Sequence, residues 1–156
     1  SLSEIRQNSV LVEYLVRKAV AVKAQTVSAD FRESNQREIL NYGHTLGHAI
    51  EQSCNYELRH GECVSIGMVF AAELAASQGL MTEELVERHR SILQNLGLPI
   101  SYNAQAWSAI EPLLWLDKKA RGKQLRFVLL TGIGQTTRYH VESSDELRAI
   151  YEKVCS

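Results

Sequence analysis

Proline is scarce in this chain, with two residues in 156, Pro99 and Pro112, so long stretches carry no helix breaker. Cysteine is odd in number. Cys54, Cys63 and Cys155 form no CxxC pair and no disulfide-like framework, which points to a reducing, cytoplasmic compartment. An excess of one charge is also missing: 17 Lys and Arg against 18 Asp and Glu leave a net charge of −1. That balance gives no electrostatic footing for general nucleic-acid or membrane binding. No apolar run is long enough to span a bilayer, no signal peptide stands at the start, and no repeat or low-complexity tract is visible. The length fits one domain, residues 1–156, with a sizeable core. The opening, Ser1-Leu-Ser-Glu-Ile-Arg6, is not an initiator context, and a helical pattern begins almost at once, so the chain reads as a piece of a longer protein or a processed one.

What is present is mostly helix periodicity. Leu11, Leu15, Val16, Ala19 and Val22 mark a helix from Glu4 to about Val27, and the polar stretch 28–35 breaks it. A second helix is expected from Gln36 to Ser53, with Gly43 and Gly47 inside it. Interior glycines weaken a helix and usually signal close approach of a backbone or a ligand. A third helix, Gly61 to Gln78, is alanine-rich and closed by Gly79. Thr82 caps a fourth that ends near Leu96, before Gly97 and Pro99. Gln105 to Leu116 reads as helix, entered or broken at Pro112. Leu125–Thr131 and Thr136–Val141 read as a hairpin about Gly132-Ile-Gly134. Ser143 begins a last helix to Val154. The expected fold is mainly α: a multi-helix domain with one small β-hairpin.

The chemistry concentrates in one stretch. His44, His48 and His60 are three of the chain's five histidines. His44 and His48 are four apart and share a face on a helix. Neutral imidazole is the commonest metal ligand, and a helical pair plus a third His outlines half of a metal site. The plain alternative is a surface or core histidine with an incidental neighbour. Arg37 and Asn41 precede His44 and His48 by helix steps of four, three and four, so a guanidinium, an amide and two imidazoles form one line suited to an anionic, oxygenated ligand, or merely a solvated polar stripe. Lys23 interrupts the first apolar run and is otherwise a snorkelling surface lysine. Asp117-Lys118-Lys119-Ala-Arg-Gly-Lys123 is a cationic loop able to close over phosphate, or a solvated turn. Glu62 is a carboxylate near the histidines, or simply a favourable helix N-terminal residue. His89 and His140 read as ordinary surface or strand residues, and Trp107 and Trp115 as core anchors.

These residues carry a resemblance. Arg37-xxx-Asn41-xx-His44-xxx-His48-Ala-Ile-Glu51, then His60-Gly-Glu62, then Asp117-Lys-Lys119 with Leu125-Arg-Phe-Val-Leu-Leu follow the order seen in 3-dehydroquinate synthases, and the chain is similar to the C-terminal helical half of that family. The resemblance implies the shikimate-pathway conversion of 3-deoxy-D-arabino-heptulosonate 7-phosphate to 3-dehydroquinate and phosphate. It also implies NAD bound by an N-terminal domain absent from this chain, a divalent metal (zinc or cobalt), and a homodimer when full length. By resemblance His44 and His60 match the metal ligands, which replaces the simpler reading of His44 and His48 as the pair. His48 matches a catalytic residue contacting the substrate's phosphate region. Arg37 and Asn41 match residues that recognise the substrate carboxylate, and Lys23 and one of Lys118 and Lys119 match substrate-binding lysines. The third metal ligand of the family, a glutamate, has no counterpart here, and Gly132-Ile-Gly134 lacks the strand–helix context of a dinucleotide fingerprint. The isolated chain is therefore expected to be inactive. Two alternatives stand beside this reading: another sugar-phosphate cyclase, such as a 2-deoxy-scyllo-inosose synthase, and a non-catalytic helical metal-binding module.

Overall fold

The computed structural model describes Ile5 and residues 7–29, 36–121, 124–141 and 143–156, the side chains of 29, 36, 37 and 117–121 excepted. The described residues form two compact units, the chain dividing between Asn41 and Tyr42.

The first unit holds helix α1 (Ser9–Ala29) and a 3₁₀ helix (Gln36–Asn41) that packs against it. α1 is capped at Asn8, whose side chain accepts a hydrogen bond from the Leu11 amide at 3.1 Å; the expected start at Glu4 lies outside the described residues. This is a capping residue satisfying an otherwise orphan donor of the first turn.

The second unit holds α2 (His44–Ser53), α3 (His60–Ser77), α4 (Glu83–Asn95), a 3₁₀ turn (Ala104–Ala106), α5 (Trp107–Arg121), strands β1 (Arg126–Gly132) and β2 (Gln135–His140), and α6 (Ser144–Glu152). α3 is its axis. Cys63 to Ala75 is buried on every side apart from half-buried Met68, as a helix apolar all round must be, and α2, α4, α6 and β1 pack around it. α4 and α6 are amphipathic, and Thr82 and Ser143 cap them by accepting from the Leu85 and Glu146 amides. α3 and α4 close alike: Leu80 donates to Ala75 and Leu98 to Leu93, around Gly79 and Gly97, the Schellman arrangement that satisfies terminal carbonyls. The strands pair antiparallel from Arg126–His140 to Leu130–Thr136, with a register shift before Gly132. Among the described residues one charged side chain is buried in this core. Glu73 is held by Arg90 at 2.7 Å and Lys153 at 3.4 Å, as burial of a carboxylate requires.

The mainly helical fold with one hairpin is as expected, and two boundaries are corrected. The helix expected over Gln36–Ser53 is two elements, because Gly43 takes a left-handed φ of +78°. Helix periodicity therefore does not carry Arg37 and Asn41 onto the face of His44 and His48. α5 also runs through Pro112 to Arg121, so the backbone of Asp117–Arg121 is helical where a loop was expected. Pro112 lies only one turn and a half into α5 and removes a single internal hydrogen bond.

Candidate metal centre

Glycine sets the frame of the site. A Cβ on Gly67 of α3 would lie 1.9 Å from the Gly43 carbonyl oxygen, well inside contact distance. A Cβ on Gly43 would in turn meet Met68 and Val64 at 2.7–2.8 Å. The two backbones thus touch where side chains would normally separate helices by 8–10 Å, and Gly43 turns the chain into α2 at that contact. Thr45 anchors the same turn to the hairpin by donating to the Arg126 carbonyl at 3.2 Å.

From that contact α2 runs antiparallel along α3, with Gly47 against Cys63 and Val64 and Glu51 against His60, so its histidine face passes over the start of α3. His44 is the first residue of α2, His60 the first of α3, and His48 lies one turn along α2. The three imidazoles form a near-equilateral triangle, with ring centroids 5.4 Å (His44–His48), 5.3 Å (His44–His60) and 5.6 Å (His48–His60) apart. One nitrogen from each lies within 4.8 Å of the others. Ligands 2.0–2.1 Å from a tetrahedral zinc are about 3.4 Å apart, so small ring rotations close the triangle on an ion.

The partners of the rings differ. Nδ1 of His44 is 3.1 Å from the Tyr42 carbonyl oxygen, and Nδ1 of His60 is 3.1 Å from a Glu51 carboxylate oxygen. Both oxygens accept, so in the neutral rings each Nδ1 carries the proton and each Nε2 keeps its lone pair. A carboxylate or carbonyl behind the imidazole is the usual support of a metal-bound histidine. His48 makes no hydrogen bond among the described residues. Its pKa is lowered, first by burial and then by His44 and His60, with Glu51 opposing. The positive ends of α2 and α3 act in the same direction. His48 is thereby shifted towards neutral imidazole, the form that binds a metal ion.

The histidines are thus brought together. Glu51 was unassigned from sequence, although its spacing seven residues after His44 and three after His48 puts it on their face. Tyr42 acts through its backbone and leaves no sequence signal. Glu62 is accounted for otherwise: it accepts from the Arg59 amide at 2.8 Å and closes the first turn of α3. His89 is half-buried and hydrogen-bonded rather than a surface residue. Lys23 is exposed on α1, and Asn41 is exposed at the end of the 3₁₀ helix, both in the first unit. The side chains of Arg37, Lys118 and Lys119 lie outside the described residues. Gly132-Ile133-Gly134 is the hairpin turn, not a nucleotide loop.

Residues 1–120 match the family described as 3-dehydroquinate synthase C-terminal. A 3-dehydroquinate synthase of Thermobifida fusca is 59% identical over 76% of this chain and 32% of its own length. The same enzyme of Pseudarthrobacter chlorophenolicus is 50% identical over 91% of this chain and 39% of its own. The chain thus spans about a third to two fifths of these curated relatives. A 2-epi-5-epi-valiolone synthase of Streptomyces hygroscopicus, solved with NAD+ and Zn2+, matches the fold with a TM-score of 0.82 at 23% identity, over 98% of this chain and 43% of that one. A 2-deoxy-scyllo-inosose synthase solved with carbaglucose-6-phosphate, NAD+ and Co2+ matches with a TM-score of 0.70 at 30% identity, over 85% of this chain and 40% of that one.

Proposed function

This chain belongs to the 3-dehydroquinate synthase C-terminal family, and we propose that residues 1–156 are the metal- and substrate-binding domain of such an enzyme, with NAD held by a domain outside these residues. The observation that carries the reading is the histidine triangle, with His44 and His60 backed by the Tyr42 carbonyl and Glu51. When bound there, a divalent zinc or cobalt ion polarises a substrate oxygen. His44 and His60 would hold it through Nε2, with Glu51 and Tyr42 fixing the ring directions. His48 has no hydrogen-bond partner among the described residues, and its neutral ring is left to hydrogen-bond the phosphate end of the substrate and to accept a proton at a ring nitrogen. Arg37 and Asn41 are proposed for the substrate carboxylate, and Lys23 with one of Lys118 and Lys119 for its remaining anionic oxygens. The whole enzyme would convert 3-deoxy-D-arabino-heptulosonate 7-phosphate to 3-dehydroquinate and phosphate. The family resemblance supports a homodimer. The three free thiols fit a reducing cytoplasm, and no described helix is long and apolar enough to cross a membrane.

Cobalt titration of the 156-residue chain, followed by its visible absorption, tests the site. Binding is expected to be weak, because two histidines fall short of the three protein ligands of a catalytic site, and weaker still in His44→Ala and in His60→Ala. Tight binding that survives both substitutions would sink the assignment. With added NAD and cobalt the chain alone should release no phosphate from the heptulosonate phosphate. In a complete enzyme, Arg37→Ala should lower kcat/KM by about tenfold to a hundredfold, the size of a lost charge-assisted contact. A near-normal value would favour the reading as a cyclase for substrates without a carboxylate, like the inosose synthase.

A further inference from the structure

A cleft of about 280 Å³ opens between α4, Met68 and Met81, and the turn of the β-hairpin. Its volume is roughly twice that of a cavity able to hold benzene. α4 contributes Leu85, Ile92 and Leu93, and the hairpin contributes Leu130 and the turn residue Ile133. Two features mark it as more than a packing fault. Ile133 is 74% exposed at a turn tip, where polar residues and glycine are the rule. Met68 and Met81 line the cleft, and thioether side chains reshape readily around a ligand.

The polar groups limit what fits. At the floor, the Tyr42 hydroxyl lies 3.1 Å from His89 Nε2, and His89 Nδ1 lies 2.7 Å from the Leu85 carbonyl oxygen. That carbonyl only accepts, so Nδ1 carries a proton, and the Tyr42 hydroxyl has both Nε2 and, at 3.3 Å, the Met68 carbonyl oxygen as partners. Floor donors and acceptors are thereby paired with each other. Arg88 on α4 also lines the cleft, is exposed, and has no hydrogen bond or ion pair among the described residues. The cleft therefore offers apolar walls, a saturated floor and one unengaged guanidinium, whose planar fork suits a carboxylate.

We propose that this cleft binds a small apolar monocarboxylate, its aryl or branched alkyl body between Leu85, Met81 and Ile133 and its carboxylate on Arg88. The occupant would rest against Tyr42, the residue whose carbonyl orients His44, so the site adjoins the metal centre without sharing its donors.

The test is calorimetric titration of the full chain, without metal, using 3-phenylpropionate and its neutral analogue 3-phenylpropionamide. The acid should saturate and bind about tenfold more tightly than the amide, as one charge-assisted contact implies. Arg88→Gln should erase that tenfold preference. Ile133→Asp should weaken both probes. Both residues are exposed, so neither change threatens folding. Absence of saturable binding by either probe overturns the proposal, as does equal binding of acid and amide, or an acid preference that survives Arg88→Gln. Self-association abolished by Ile133→Asp, with no probe bound, would assign the cleft to a second copy of the chain and equally overturn it.

Discussion

Two histidine environments lie on either side of Tyr42. At the junction of α2 and α3, His44 and His60 each use one ring nitrogen on an oxygen behind them, and His48 uses neither. On the other side, His89 uses both, one on Leu85 and one on the Tyr42 hydroxyl. Residue type is the same and burial alone does not separate them: His89 and His44 are both half-buried, while His48 and His60 are exposed. What differs is whether lone pairs are left over and whether they converge. His89 has spent its nitrogens on the fold. The triangle keeps one nitrogen of each ring within 4.8 Å of the others, which makes it competent for an ion.

The contrast can be broken most severely at the glycine contact that builds the triangle. Gly67→Ala forces a methyl group against the Gly43 carbonyl and should cost more than about 3 kcal/mol, at the upper end of overpacking penalties. Thermal unfolding should show it as a large fall in Tm, although glycine to alanine normally favours a helix. An unchanged Tm would mean that α2 and α3 have room to part.

A smaller effect should separate the backed rings from the unbacked one. Glu51→Gln leaves the His60 partner in place but removes its charge, and should weaken cobalt binding by about tenfold to a hundredfold, as loss of a supporting carboxylate does. The absorption titration reads this directly, and unaltered affinity would argue that the Glu51–His60 contact is incidental.

The smallest effect is expected on the saturated side. His89→Ala deprives the buried Tyr42 hydroxyl of one acceptor while the Met68 carbonyl remains at 3.3 Å. Denaturant unfolding should register a loss of about 1–2 kcal/mol, with cobalt affinity unmoved. A change in cobalt affinity of the size expected for Glu51→Gln would show that the two environments are coupled through Tyr42.

Local signals were legible wherever the physics is local. Thr82 and Ser143 announce helix starts through their own side chains, Gly79 and Gly97 mark stops, and alternation with β-branched residues marks the hairpin. The break at Gly43 was not legible, because its cause is the backbone of α3, more than twenty residues away. Nor was the run of α5 past Pro112, where the cost of one lost hydrogen bond is outweighed by burial of Ile110 and Leu114.

The functional stretch divides in the same way. Composition and spacing by themselves determined that three imidazoles cluster within seventeen residues, two of them on one helix face, and their order with Arg37 and Asn41 marked the family. Which ring nitrogens remain free was decided only in three dimensions. Tyr42 reaches His44 through a carbonyl that every residue possesses, Glu51 reaches His60 across a loop, and His89 meets Tyr42 from 47 positions away. Hydrogen bonds between such partners depend on how the helices pack around Gly43 and Gly67, a property of the assembled backbone that no single segment of sequence contains.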